Sequence, residues 1–232
     1  MENRNTAPVG VFDSGVGGLT VVREISRQLP NENIVYFGDT ARVPYGSKSQ
    51  NTIIRFSEQI IRFLKTKDVK AIVIACNTAS ALALDAVRDE FDVPVMGVVI
   101  PGARAAVETT RNRKVGVVGT DATVQSGMYT KIIHSMAPDV TMILGCTHYP
   151  LLRSKIREYM GEKIQIVNPA YETAMDLKKL LHEQGMENNG GSGEHSRYSF
   201  YVSDAAEKFR RFANTVMPFD VPTTNVVNIE EY

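Results

Sequence analysis

Two cysteines, Cys76 and Cys146, are the side chains in this sequence best suited to acid–base or nucleophilic chemistry. Each ends an apolar run in the same way: Ile72-Val73-Ile74-Ala75-Cys76-Asn77-Thr78 in one place and Met142-Ile143-Leu144-Gly145-Cys146-Thr147-His148 in the other. The thiolate is the reactive form, and an unperturbed thiol of pKa ~8.5 is only a few per cent ionised at neutral pH. Helical sequence follows each cysteine, and the amide N–H groups and dipole of a helix start favour the thiolate. Asp13 and His148 are the acid–base groups placed to assist, one in each half. Taken alone, a free cysteine is often inert core, and a lone histidine is usually a surface or satisfied core residue. Three such ligands on separate strand ends can also hold zinc. No CxxC or HExxH spacing accompanies them, so a metal is not expected.

Neutral hydrogen-bonding groups stand at other element ends: Ser14, Asn77, Thr78, Thr120 and Thr147. Asp13-Ser14-Gly15-Val16-Gly17-Gly18 is a Gly-rich turn entering a helix, which suits an anion held by backbone amides. It is neither a P-loop nor a spaced GxGxxG. Neutral donors around an amide turn point to a small zwitterionic or carboxylate ligand.

Alternating strands and helices must position these groups. Strands are expected at Val9–Phe12, Ile34–Phe37, Lys70–Ala75, Val93–Val98, Lys114–Val118, Thr141–Leu144, Ile164–Val167 and Phe200–Val202. Helices are expected over Leu19–Pro30, Thr52–Lys65, Ala79–Glu90, Ala103–Thr110, Thr123–Met136, Thr173–Gln184 and Ala205–Val216, with another after His148. The tail, Asp220–Tyr232, reads as a terminal strand or loosely packed chain. Lys70–Ala75 shows no polar alternation, as befits a strand buried on both faces of a parallel sheet. The fold class is therefore α/β, with two doubly wound parallel-sheet halves. In such sheets ligands bind beyond the carboxyl ends of the strands. The two halves thus bracket a small ligand between two thiols. Val9-Gly10-Val11-Phe12-Asp13-Ser14 aligns with Val115-Gly116-Val117-Val118-Gly119-Thr120. From Val9 to Cys76 is 67 positions but from Val115 to Cys146 only 31, so the second half is shorter by 36. The expected domains are 1–97 plus 170–232, carrying Cys76, and 98–169, carrying Cys146.

Composition excludes several classes. Lys and Arg total 26, Asp and Glu total 26, and formal charge is zero, against a nucleic-acid partner. Hydrophobic residues make up 43% of 232, enough to bury a core. No apolar run approaches the ~20 residues of a membrane span, and the polar start, Met1–Val9, is no signal peptide. A cytoplasmic protein without a structural disulfide is expected.

Four motifs carry a resemblance to glutamate racemase, of the aspartate/glutamate racemase superfamily. They are Gly10-Val11-Phe12-Asp13-Ser14-Gly15-Val16-Gly17-Gly18-Leu19-Thr20, Tyr36-Phe37-Gly38-Asp39-Thr40-Ala41-Arg42-Val43-Pro44-Tyr45-Gly46, Ala75-Cys76-Asn77-Thr78-Ala79-Ser80 and Leu144-Gly145-Cys146-Thr147-His148-Tyr149-Pro150-Leu151-Leu152. Weaker matches lie at Val167-Asn168-Pro169-Ala170 and Phe200-Tyr201-Val202-Ser203-Asp204. The resemblance implies cofactor-independent racemisation of glutamate by two opposed cysteines, Cys76 and Cys146, tuned by Asp13 and His148, for peptidoglycan synthesis. It implies a substrate shell of Asp13, Ser14, Pro44, Tyr45, Gly46, Asn77, Thr78, Thr120, Thr147 and His148. Homodimers are common in that family, although no motif here marks a dimer contact. Relatives carry a longer segment before the second cysteine motif, and about 40 residues of it are absent. By resemblance that segment holds a strand, a helix and an acidic residue that meets the substrate amino group. Two alternatives stand beside an active racemase: a deletion variant of low activity, and a non-catalytic protein of this fold that binds an acidic amino acid.

Overall fold

The computed structural model describes residues 4–140, 158, 165–190 and 198–232. The expected strand Thr141–Leu144 and the helix after His148 lie outside the described residues. A six-stranded sheet runs in the order β4-β3-β1-β2-β5-β6, and every neighbouring pair is parallel. Its strands are β1 (Val9–Asp13), β2 (Ile34–Gly38), β3 (Ala71–Ile74), β4 (Val95–Gly97), β5 (Tyr198–Val202) and β6 (Asn225–Val226). Among the described residues no helix is long and apolar enough to cross a membrane.

Every residue of β1, β2 and β3 is buried, because helices cover both faces of the sheet. The side-chain period of two then feeds two cores. Val9, Val11, Tyr36 and Val73 join α1 (Leu19–Gln28), α8 (Pro169–Glu183) and α9 (Ala206–Val216) on one face. Phe12, Phe37, Ile72 and Ile74 join α2 (Gln50–Lys65), α3 (Asn77–Leu82) and α4 (Leu84–Val87) on the other. Each such aliphatic or aromatic side chain contributes about 1.5–3 kcal/mol when fully buried. Ser49 caps α2 by accepting the Thr52 N–H at 3.3 Å. A third, smaller core lies between α5 (Val99–Thr109) and α7 (Met128–Met136), built on Ala103, Ala106, Tyr129 and Ile133.

Four expected elements differ. The helix expected over Ala79–Glu90 is two short ones, α3 and α4, divided at Ala83. The helix expected over Thr123–Met136 is α6 (Asp121–Gln125) and α7, divided where Gly127 takes φ +64°. That left-handed turn suits glycine and ends the helical ladder. Lys114–Val118 makes only an isolated bridge at Lys114, and residues 165–168 form no strand. A strand exists only where a ladder partner exists, and none of the described residues pairs with 115–118 or 165–168. The tail packs through the short β6 and Ile229, which is 3% exposed.

The register sets the site. Asp13 pairs opposite Gly38 and Phe12 opposite Ile74, so β1, β2 and β3 end side by side. Gly18, at the entry to α1, lets the turn fold back tightly: a Cβ there would sit 2.6 Å from Asp13 Cβ and 2.9 Å from Ala75 Cβ. Gly18→Ala is therefore expected to destabilise the fold by about 1–3 kcal/mol, read from chemical denaturation. A loss within error would show that the β1–α1 turn yields freely.

Candidate functional site

Cys76 follows β3 and caps α3, 3% exposed. Its Sγ donates to Ser14 Oγ at 3.6 Å, and the N–H groups of Ser14 and Ala79 approach the sulfur. Asp13 is fully buried and accepts the Gly15 N–H on Oδ2 at 2.9 Å. Burial pushes the Cys76 thiol up to about 12, with the Asp13 charge adding to the rise. The Ser14 and Ala79 contacts pull the other way and do not compensate. This corrects the expectation of a ready thiolate. The helix behind the sulfur is only six residues long, and exclusion of water outweighs its N–H groups.

The Gly-rich turn spends part of its hydrogen-bonding capacity on itself: its Gly15 N–H is given to Asp13, and the Leu19 and Thr20 N–H groups at the start of α1 bond the carbonyls of Val16 and Gly17. The turn also packs Ser14 and Asp13 against the thiol.

Cys76 opens into a cavity of about 700 Å³. Ser14, Pro44, Tyr45, Gly46, Asn77, Thr78 and Thr120, all anticipated from the sequence, line it. Asp13 does not, so its influence on a ligand passes through Cys76 and Ser14. Cys146, Thr147 and His148 lie outside the described residues.

The lining groups are held by buried neighbours. The Tyr129 hydroxyl donates to Asn77 Oδ1 at 2.6 Å. Thr78 and Thr120 share a hydrogen bond of 2.9 Å, and Thr123 closes the triangle at 3.2 and 2.9 Å. Thr120 is not a strand end; its hydroxyl caps α6 by accepting the Thr123 N–H. The Pro44–Ser47 wall hangs on Asp39, which is fully buried. Asp39 Oδ2 accepts from the Tyr45 hydroxyl at 2.5 Å and from Arg42 Nε at 2.7 Å, and Oδ1 accepts from Ser203 at 2.8 Å. Burial and the Asp39 charge hold the Tyr45 hydroxyl well above the usual tyrosine range, so it stays a neutral donor. Arg42 lies over the Phe56 ring at 3.9 Å.

Sequence reasoning missed several contributors. Asp121 and Lys208 bring charge to the lining, while Val16, Val43, Phe209 and Phe212 bring apolar surface. Phe200–Asp204, directly before α9, was a signal for the α9 side chains. Asp39 and Arg42 lay inside a quoted motif, yet nothing in the sequence shows that they act through Tyr45. Tyr129 gave no signal, since one tyrosine in a helical stretch reads as core.

A parallel α/β sheet whose strand ends carry a buried thiol and a ring of neutral hydrogen-bonding groups is the frame of a small-ligand α/β protein. Residues 9–142 match the Asp/Glu/Hydantoin racemase family, and the chain belongs to it. The glutamate racemase of Lactococcus lactis subsp. lactis is 40% identical over 253 aligned residues, covering 92% of each chain. The crystal structure of a glutamate racemase isoform from Bacillus anthracis superposes with TM-score 0.89 at 33% identity, over 96% of this chain and 98% of that one. The glutamate racemase of Francisella tularensis, solved with D-glutamate, gives TM-score 0.88 at 32% identity, over 98% and 100%. The fold is that of these glutamate racemases.

The raised thiol has a pH signature. Its folded-state value, about 12, lies above the ordinary 9.0, so the neutral thiol stabilises the fold fully below that lower value. This contribution is lost as pH climbs from one value toward the other. Alkylation of Cys76 by iodoacetamide, followed by peptide mass spectrometry, should be slow at neutral pH and still rising at about pH 10. A rate that bends over near pH 9 and is flat by about pH 10 would show an ordinary thiol.

Proposed function

We propose that the protein interconverts L- and D-glutamate without a cofactor, with Cys76 and Cys146 as opposed acid–base groups. The observation that carries this reading is a buried Cys76 opening into a cavity ringed by neutral donors. Family membership and the D-glutamate bound to the Francisella tularensis relative support the choice of ligand.

In each direction one cysteine, as thiolate, takes the α-proton, and the C–H electron pair stays on the α-carbon. The other, as thiol, gives its proton to the opposite face. The cysteines exchange protonation states, and atoms and charge balance. Burial suits Cys76 to both parts. As a thiol it is held protonated and ready to donate. As a thiolate it is a stronger base than an exposed one, which the weakly acidic α-C–H requires. The ligand ammonium offsets the charge that makes ionisation costly. Ser14, Asn77, Thr78 and Thr120 orient the ligand through hydroxyl and amide groups, with Tyr45 and Gly46 closing one wall. Asp13 tunes Cys76. Thr147 and His148 are assigned to the ligand and to Cys146 on the facing half.

Residues 1–97 with 170–232 form the domain bearing Cys76, and 98–169 form the domain bearing Cys146. The product is suited to peptidoglycan synthesis in the cytoplasm, and a homodimer is the proposed assembly. A second reading has its own support. At 92% coverage about 213 of the 232 residues align, so about 40 of the 253 aligned positions face no residue in this chain. A missing wall would leave an acidic-amino-acid binder that turns over little.

Incubation with L-glutamate in deuterium oxide separates these readings. Racemisation replaces the α-proton by deuterium, and the α-proton NMR signal disappears. Cys76→Ala or Cys146→Ala should slow this by at least about 10²-fold. A cooperatively folded native chain that binds glutamate without exchange would support the binding reading and contradict catalysis.

A further inference from the structure

Asn77 and Tyr129 meet from distant parts of the chain. Asn77 directly follows Cys76, opens α3 and lines the cavity, 4% exposed. Tyr129 lies in the first turn of α7, 3% exposed, inside the small core shared with α5. The two side chains are joined by a 2.6 Å hydrogen bond from the Tyr129 hydroxyl to Asn77 Oδ1.

A primary amide has two faces of opposite character. Its oxygen only accepts and its NH₂ only donates. An asparagine free to turn shows a ligand either face. Here the tyrosine hydroxyl occupies the oxygen, so the NH₂ is the face left for the cavity. Among the described residues no group bonds Asn77 Nδ2. A carboxylate, which only accepts, complements such a donor pair. A ligand ammonium or amide NH₂ in that place would oppose donor to donor.

We propose that Tyr129 is a positioning residue that locks the Asn77 amide with its NH₂ toward the ligand, and so makes this corner of the cavity selective for a carboxylate. The inference rests on the glutamate reading of the site. It also gives α7 a role in ligand binding that its own side chains do not perform by contact. The anchor is held by burial, because Tyr129 is 3% exposed within the core shared with α5.

Tyr129→Phe keeps the ring and removes only the hydroxyl. It is expected to weaken glutamate binding by about tenfold in calorimetry, raising KM while kcat changes by less than about twofold. In an Asn77→Ala background the same change should cost nothing further, because a residue that acts through Asn77 has no effect once Asn77 is gone. The Asn77 side-chain amide signals in a ¹⁵N–¹H spectrum, assigned by their loss in Asn77→Ala, should shift or split in Tyr129→Phe without ligand. An unchanged amide pair, or an equal loss in both backgrounds, would overturn the proposal. If Tyr129→Phe fails to melt cooperatively, Asn77→Asp decides instead. That variant keeps an acceptor for Tyr129 but turns a negative group toward the ligand, and native-like glutamate affinity in it would overturn the proposal. If the native chain does not bind glutamate, the glutamate reading fails by itself, and the amide spectrum still judges the positioning.

Discussion

A thiol and a carboxylate buried together at the ends of adjacent parallel strands impose the constraint from which the rest of the site follows. Cys76 and Asp13 are both buried, and the Asp13 charge makes ionisation of the thiol harder. Such a pair persists only if nearby groups satisfy it. The Gly-rich turn does so, giving the Gly15 N–H to Asp13 and offering the Ser14 oxygen to the thiol as an acceptor. The turn reaches this position because Gly18 allows α1 to start against Asp13 and Ala75. A Gly-rich turn of the kind that suits an anion thus also holds the buried thiol in place.

The remaining cavity follows a second rule: groups that line it are fixed by groups that do not. Tyr45 leans on Asp39, Thr78 and Thr120 on Thr123, and Asn77 on Tyr129. Each support is buried, where a hydrogen bond is strong and an unpaired group is costly. Preorganisation of this kind lowers the ordering needed when a small flexible ligand binds. The Asp39 cluster also ties the wall to β5 through Ser203, so distant chain segments share one frame.

The first sheet was readable because its central strands are short, apolar and punctuated. Val9–Asp13, Ile34–Gly38 and Ala71–Ile74 differ from expectation by a residue or two. The α3–α4 division at Ala83 was hidden inside an alanine-rich run of uniform helix preference. The α6–α7 division had a visible marker in Gly127. Lys114–Val118 is apolar enough for a strand, but pairing is a tertiary fact that a run of valines does not contain. Site legibility divided the same way. Ser14, Asn77 and Thr78 follow strand ends and could be found by position. Lys208, Phe209 and Phe212 reach the cavity from a helix some 130 residues beyond Cys76, and only the folded chain brings them there. The ionisation of Cys76 departs from expectation for a related reason: a helix start is visible in sequence, whereas the water excluded from around it is not.

In the proposed reaction the cavity beside Cys76 seats the α-carbon of glutamate against a buried thiol. A crystal structure of the native chain with D-glutamate tests it most directly. The α-carbon is expected within about 3.5–4 Å of Cys76 Sγ, with a carboxylate on the Asn77 amide nitrogen. Glutamate bound elsewhere, or in this cavity with its α-carbon turned away from Cys76, would contradict it.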